Sequence, residues 1–336
     1  MRAAAFTELV GPDGVEIVER DDPTPGEGEA VVDVRACSIN HHDLWILEGD
    51  SAMVSEDGLP FVSGLDVAGV VSEAGPDTDV EAGDRVVLCP NETCGTCRYC
   101  REGPENLCAS FSLYHGGLAE RATVEASRLI DLPESVSFAE AAALPTAYLT
   151  AWHMFRKAEV GAGDRVFVPG ATGGVGVACI QLADVIGAKS VGTSTSAEKL
   201  LRLADLGCEH GVETADPEEM VREVRSVGEV DAVLNHLAGE YVEAGLRVLR
   251  RGGTQVVCGR TAGRTSEFAA APFFLGHREI VGSTMGTQPE LETLVSLVAD
   301  GELDPVVGGT YPLAETGEAF REMAERGVFG KLLVEP

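Results

Sequence analysis

The sequence predicts a two-domain α/β protein in which a β-rich half precedes a doubly wound parallel sheet. Three observations predict it. Arg165–Ala183 reads as a short strand, a glycine turn and a helix in immediate succession. After it, β-branched runs alternate with helix-compatible runs. Before about Ser127, short β-branched runs are punctuated by Gly, Asp and Pro, the texture of a compact β domain.

Size and charge bound the answer first. A chain of 336 residues has room for about two domains. No apolar stretch reaches the roughly 18 residues that span a bilayer; Ala141 to Phe155 is a charge-free candidate, and it contains Pro145. Charge and turn residues arrive by Glu8, Gly11 and Pro12, which is not a signal-peptide layout. A soluble, cytoplasmic protein is expected, with no membrane partner. The net charge is −30, from 55 acidic and 25 basic residues, of which only Lys157, Lys189, Lys199 and Lys331 are lysines. The acids are spread along the chain. They form either a surface for basic partners or, the reading preferred here, a solvated surface suited to very high salt, as in halophilic archaea. At about 1 M salt the screening length falls to about 3 Å, which removes most of the self-repulsion and lets an anionic cofactor approach. Such a surface argues against nucleic-acid binding.

In chain order, Val31–Ala36 is a strand after the turn-rich Asp22–Gly28, and Phe61–Gly75 and Gly83–Leu88 continue the β pattern. Nine cysteines in a cytosolic chain point to metal or chemistry rather than disulfides. Cys94, Cys97, Cys100 and Cys108 are spaced C-x2-C-x2-C-x7-C within a lobe spanning residues 89–110. Four thiolates at this spacing wrap one tetrahedral Zn²⁺ and fill all its positions, so the site is structural and closed to substrate. Iron, or four free thiols, are the alternatives. Cys37, Cys179, Cys208 and Cys258 read as ordinary buried thiols.

The second half alternates. Phe138–Lys157 is helical and broken near Pro145; Val166–Val168 is a strand and Val177–Ala183 a helix. Ser190–Thr193, Val230–Leu234, Thr254–Cys258 and Glu279–Gly282 are strands, with helices at Lys199–Leu206 and Tyr241–Leu249. The tail adds helices at Pro289–Ala299 and Leu313–Arg326 and a strand at Gly330–Val334; it is expected to return to the first domain, placing the active site in the cleft between the two. Between the first strand and helix, Gly173, Gly174, Val175 and Gly176 form a dinucleotide site: Gly173 allows a tight turn, Gly176 lets the helix lie close on the sheet, and the helix N-terminus presents N–H groups to a diphosphate. Ala171 stands where the usual first glycine would be. A plain glycine-rich connection is the alternative; a triphosphate loop is excluded because no Gly-Lys-Ser/Thr closes the run.

Together these features resemble the medium-chain dehydrogenase/reductase superfamily, the zinc-type alcohol dehydrogenases and quinone oxidoreductases, nearly end to end. The carriers are Pro23-x-Pro-Gly-Glu, Asn40-x-x-Asp43, Gly64-x-Asp66-x-x-Gly69-x-Val71, Gly83-Asp84-Arg85-Val86, the four-cysteine lobe, Gly117-x-Ala119-Glu120, Leu149-Thr150-Ala151, Gly173-Gly174-Val175-Gly176 and Gly330-Lys331. The resemblance implies a GroES-like β-barrel catalytic domain (1–126 and 288–336) carrying the structural zinc, a Rossmann doubly wound parallel-sheet domain (127–287), and a homodimer or homotetramer. It adds Gly259 and Lys331 to the expected cofactor site.

The departures from the family pattern bear on chemistry. Alcohol dehydrogenases of the family hold a second, catalytic zinc; its first ligand falls on Asn40 here, its histidine on Leu65 with Asp66 in the neighbouring acid's place, and Ala141–Trp152 contains no cysteine for the third. Cys37, His41, His42 and Asp66 are candidates for a rearranged site, which the leucine and the amide at two key places argue against. Without a Lewis acid, an isolated carbonyl is hard to reduce, whereas quinones and carbonyl-conjugated double bonds spread the incoming charge. The resemblance therefore implies an oxidoreductase acting on an activated C=C or a quinone; an alcohol dehydrogenase with an unusual metal site or none is the second reading, and a non-catalytic NADPH-binding protein the third. Asn40 would contact the nicotinamide ribose or substrate, Asp43 would orient the loop, and Thr150 would touch the nicotinamide end. Trp45 replaces a tyrosine found in some relatives, leaving His42 or His41 as candidate proton donor. Substrate-lining loops are expected near Trp45, Met53–Pro60, Leu113–His115, Phe273-Phe274 and Ser283–Gly286.

Cofactor preference follows from the second strand. An NAD enzyme carries an acid about 20 residues beyond the glycines; here the chain reads Thr193-Ser194-Thr195-Ser196, with Lys199 on the next turn. Hydroxyls and an ammonium at Ser194, Thr195, Ser196 and Lys199 suit a 2′-phosphate, and NADPH is the expected cofactor. The alternative is that Lys199 only solvates a helix face.

Overall fold

A computed structural model describes all 336 residues. The chain divides into two compact units, Met1–Thr146 with Thr287–Pro336, and Ala147–Gly286.

The first unit begins with β1 (Arg2–Phe6), β2 (Val15–Glu19), β3 (Glu29–Ser38), helix α1 (His41–Leu47), β4 (Asp66–Ala74) and β5 (Arg85–Leu88). The cysteine lobe follows, with α2 (Arg98–Glu102) inside a ribbon of β6 (Asn91–Glu92) and β7 (Ser112–Leu113); β8 (Arg121–Glu125), β9 (Leu129–Asp131) and α3 (Phe138–Ala143) complete this stretch. The second unit holds α4 (Leu149–Lys157), β10 (Arg165–Val168), α5 (Gly174–Ile186), β11 (Lys189–Ser194), α6 (Ala197–Asp205), β12 (His210–Glu213), α7 (Pro217–Val227), β13 (Val230–Asn235), α8 (Tyr241–Val248), β14 (Leu249–Val257), α9 (Ala270–Leu275) and β15 (Glu279–Gly282). The returning tail is α10 (Gln288–Ala299), β16 (Val307–Pro312), α11 (Thr316–Ala324) and β17 (Lys331–Glu335). No helix is long and apolar enough to cross a membrane.

In the second unit all ladders are parallel, in the order β12-β11-β10-β13-β14-β15. The sheet reverses direction of growth between β10 and β13, and ligands of such sheets bind outside the carboxyl ends of the strands at that point. Phe167, Val191, Val233 and Leu246 are among the residues of its core. In the first unit the sheet runs β16-β17-β3-β4-β5-β9, with β8 also on β3. Its core is built on Phe6, Ile39, Leu47, Phe320 and Leu332, so the tail completes this unit as expected.

The structure moves one boundary. Residues 127–146, expected in the second domain, belong to the first unit. The texture change at Ser127 is real, but β9 pairs with β5, and α3 buries Ala141, Ala142 and Ala143 after a start in which Ser137 and Glu140 cap one another. The expected break near Pro145 is a wide turn over Leu144–Tyr148. Two elements not expected are β12, an edge strand with only Val212 buried, and α7, a polar helix burying only Met220, Val221 and Val224. Both are too lightly apolar to give a clear period.

Candidate active site

The candidate dinucleotide loop lies in the second unit. Gly170, at φ +67°, takes the left-handed conformation the turn requires. Gly173, expected to do this, has an ordinary φ of −81° and is the N-cap of α5. Its role is space: a Cβ there would meet nothing within 4 Å. Gly176 matches expectation, because a Cβ would lie 2.6 Å from the Ala171 backbone. No side chain caps α5, so its first N–H groups, on Gly174, Val175 and Gly176, face outward for an anion. Open space at Gly173 with unclaimed N–H donors beside it fits a diphosphate. The loop is pinned to the next strand by Gly170 N–H donating to Thr193 Oγ1 (2.9 Å) and Ala171 N–H to Thr193 O (2.8 Å).

At the end of β11, Ser194 Oγ accepts from Ser196 N–H (3.2 Å), and Ser196 Oγ accepts from Lys199 N–H (3.3 Å) as the N-cap of α6. Each hydroxyl thus keeps its own proton to donate. Thr195 is exposed and Lys199 half-buried. Gly259 is held by close approach, with a Cβ 2.2 Å from His236 O. Thr150 is buried, its hydroxyl 3.9 Å from Met285 Sδ.

A second polar cluster lies in the first unit, where register brings distant residues together. Ser38 faces Asp66 across β3 and β4, and Leu333 of β17 faces Ser38. Asp66, fully buried, accepts from Ser38 Oγ (2.6 Å), Asn40 Nδ2 (2.9 Å) and Thr146 Oγ1 (2.6 Å), and pairs with Lys331 Nζ (3.4 Å). Lys331 Nζ also donates to Ile39 O (3.0 Å) and Asn40 Oδ1 (2.5 Å). This corrects one expectation. Lys331, expected at the cofactor, is 3% exposed and turned into this nest, because a buried ammonium needs an anion.

Asp43 ties the loop ahead of α1 to the Ser63–Gly64 segment. Its Oδ2 accepts from Asn40 N–H (2.8 Å), and its Oδ1 from Ser63 Oγ (2.5 Å) and Gly64 N–H (3.1 Å). Asn40-x-x-Asp43 is the start signal of α1, with the third-position carboxylate reaching back to the cap N–H. His42 stacks on His115, while His41 packs 6.4 Å from the half-buried Trp45. Burial, then the charges of Lys331 and Arg326, pushes His41 down to about 4. Sequence reasoning missed Ser38, Ser63 and Thr146; short hydroxyl residues carry no pattern of their own.

Of the two metal centres the resemblance raises, the residues fit one. The sulfurs of Cys94, Cys97, Cys100 and Cys108 lie within 4.8 Å of one another, with Cys94–Cys100 at 3.8 Å and Cys97–Cys100 at 3.5 Å. Zinc–sulfur bonds of about 2.3 Å require tetrahedral edges of about 3.8 Å. Backbone N–H groups of Cys97 and Ser110 donate to Cys94 and Cys108 sulfur at 3.4 Å each, as thiolates require. Hydrogen bonds from Thr96 and the Cys97 N–H lower the Cys94 thiol, while burial and the neighbouring Cys100 and Cys94 sulfurs raise that of Cys97. The second centre does not fit. Leu65 is fully buried and offers no ligand atom, and both ends of the Asn40 amide are engaged.

Two family models match the chain, an alcohol dehydrogenase GroES-like domain over residues 26–134 and a zinc-binding dehydrogenase over residues 174–300. Acryloyl-coenzyme A reductase of Metallosphaera sedula is 30% identical over 327 residues, covering 96% of each chain. A solved structure of an NAD-dependent alcohol dehydrogenase superposes with a TM-score of 0.92 at 35% identity, covering 100% of both chains. A 2-octenoyl-CoA carboxylase reductase, solved with NADP and 2-octenoyl-CoA, gives 0.89 at 25% identity over 99% of this chain and 87% of its own. With both halves of the fold and its glycine loop in place, the chain belongs to the medium-chain dehydrogenase/reductase superfamily of oxidoreductases, the zinc-type alcohol dehydrogenases and quinone oxidoreductases.

Proposed function

We propose that the chain is an NADPH-dependent reductase of activated C=C bonds, such as enones and enoyl thioesters, or of quinones, with one structural zinc and no catalytic zinc. The observation that carries this reading is the pairing of buried Leu65 with the engaged amide of Asn40. No electrophile stands where an alkoxide would need one, so an acceptor that delocalises its own charge is favoured. Two of the relatives support it by name, since acryloyl and 2-octenoyl thioesters both hold a conjugated double bond; the alcohol dehydrogenase relative keeps the alcohol reading as the second one. Bound NADPH would supply the hydride.

The chain's own residues bind and orient. Gly174, Val175 and Gly176 N–H groups would hold the diphosphate, and Ser194, Thr195, Ser196 and Lys199 the 2′-phosphate at the N-terminus of α6. Thr150, in the same unit as the glycine loop, would position the nicotinamide end. The acidic surface repels so anionic a ligand at low ionic strength, so the assay belongs at about 1 M salt. The test is oxidation of NADPH across a panel of enones, enoyl thioesters, quinones and simple ketones. Turnover confined to conjugated acceptors and quinones is expected; chelator-sensitive oxidation of alcohols by NADP⁺ would overturn the reading. Ser194→Asp should move preference toward NADH by about tenfold or more, because the carboxylate repels the 2′-phosphate; unchanged KM for both cofactors would refute the assignment.

A further inference from the structure

Reducing a conjugated acceptor takes a proton as well as a hydride, and the tyrosine that could give it is absent. His115 follows β7 in the first unit. Its ring stacks on His42, with centroids 5.3 Å apart and planes 21° apart, and meets Phe61 edge-on at 5.1 Å. His115 Nδ1 lies 3.3 Å from Ser63 Oγ. Ser63 has one hydroxyl proton, and it is donated to Asp43 Oδ1. The serine oxygen can therefore only accept from His115, which fixes a proton on Nδ1. The far nitrogen, Nε2, is buried and has no partner, as is Nε2 of His42. A buried ring nitrogen left so is costly and calls for a partner, a water or a ligand atom.

We propose that His115 is the proton donor of this site, held by the Asp43–Ser63 pair and giving its Nε2 proton to the reduced substrate. The proposal rests on the reductase reading. Bound NADPH would supply the hydride for the C–H bond at the β-carbon and be left as NADP⁺, with the π pair moving toward the carbonyl. The Nε2–H bond of the imidazolium breaks and the α-carbon C–H bond forms; with a quinone the proton goes to oxygen. His115 is left neutral, still donating Nδ1–H to Ser63, and regains its proton from water. His42 positions the ring by stacking, and its own charge would oppose a second proton on the pair.

The groups facing His115 set the pH behaviour. Burial pushes its imidazole below the usual histidine range; Asp43 on α1 and Glu92 on β6 oppose that shift, and His42 adds to it. The protonated ring is the donor, so kcat is full below this pKa and falls as pH rises through it, at a pH below about 6.5.

The test is His115→Gln, whose amide can still donate to Ser63 but cannot titrate. Its kcat should fall by about 10²–10³-fold, within the usual worth of a general acid. NADPH binding, read by fluorescence, should be unchanged and the pH limb should vanish, whereas His42→Gln should keep the limb. Nitrogen-15 NMR of the protein without cofactor should show neutral His115 protonated on Nδ1, a preference relaxed by Ser63→Ala. A kcat within about threefold of wild type, a limb that survives in His115→Gln or is lost only in His42→Gln, or a neutral ring protonated on Nε2, would each overturn the proposal. Wild-type protein inactive on every enone and quinone would sink the reductase reading itself, and with it this role. Turnover with the limb intact in His115→Gln sinks the role alone.

Discussion

The cysteine lobe and the nest beneath α1 both gather polar groups within the first unit, and they complete themselves in opposite ways. In the lobe, four sulfurs lie within 4.8 Å of one another with backbone N–H groups and the Thr93 and Thr96 side chains as hydrogen-bond partners. As thiolates they repel, and no side-chain cation faces them at hydrogen-bond distance. In the nest, Asp66 gathers Ser38, Asn40, Thr146 and Lys331, and the charges cancel within the protein. The lobe calls for an ion and the nest contains its own. Whether a donor set is already satisfied is thus a better guide to metal dependence than the kinds of residue it contains.

The comparison can be broken most forcefully at the lobe. Stripping the ion with a chelator, or Cys97→Ser, should open residues 91–113 to proteolysis, since structural zinc supplies on the order of 10 kcal/mol to small sites. Retained protease resistance and melting temperature in the metal-free protein would contradict the contrast. The nest should show the reverse. Lys331→Met leaves the Asp66 charge buried and should cost about 3–5 kcal/mol in urea unfolding, while zinc content stays the same. The double variant Asp66→Leu with Lys331→Met should recover part of that loss.

Acid should act on this unit at His41, whose imidazole feels the charge of the nest's Lys331. His41 is pushed down to about 4 by burial and by Lys331 and Arg326, against an ordinary value of 6.5. The unfolded chain binds this proton more readily, so its contribution to stability is full above 6.5 and is lost as pH falls toward 4. A His41→Gln variant should show a shallower fall over that window in thermal melts. A smaller effect sharpens the cofactor half. Gly173→Ala meets nothing in the free protein but fills the diphosphate's place, so NADPH affinity should drop about tenfold, or about 1.4 kcal/mol, with stability unchanged. Gly176→Ala should instead lower the melting temperature, because its Cβ strikes the Ala171 backbone.

Legibility in the sequence followed sequence distance. The lobe was readable because its four ligands fall within one short stretch, and the glycine loop because strand, turn and helix are consecutive. The nest was not, since Lys331 and Asn40 stand 291 positions apart and meet only through β17–β3 register. Lys331 was accordingly expected at the cofactor, and the left-handed turn was expected at Gly173 rather than Gly170. His115 fell within a loop expected near the substrate, but its tautomer depends on a serine and an aspartate from two other segments. The boundary at 127 was misplaced because change of texture and change of unit do not coincide.

The central claim, one metal centre and a self-contained nest where a second would stand, is tested most directly by zinc content per chain in protein purified at high salt. One zinc, lost together with the lobe in Cys97→Ser, is the expected result. Two zincs, one of them surviving that substitution, would contradict it and make alcohols the first substrates to try.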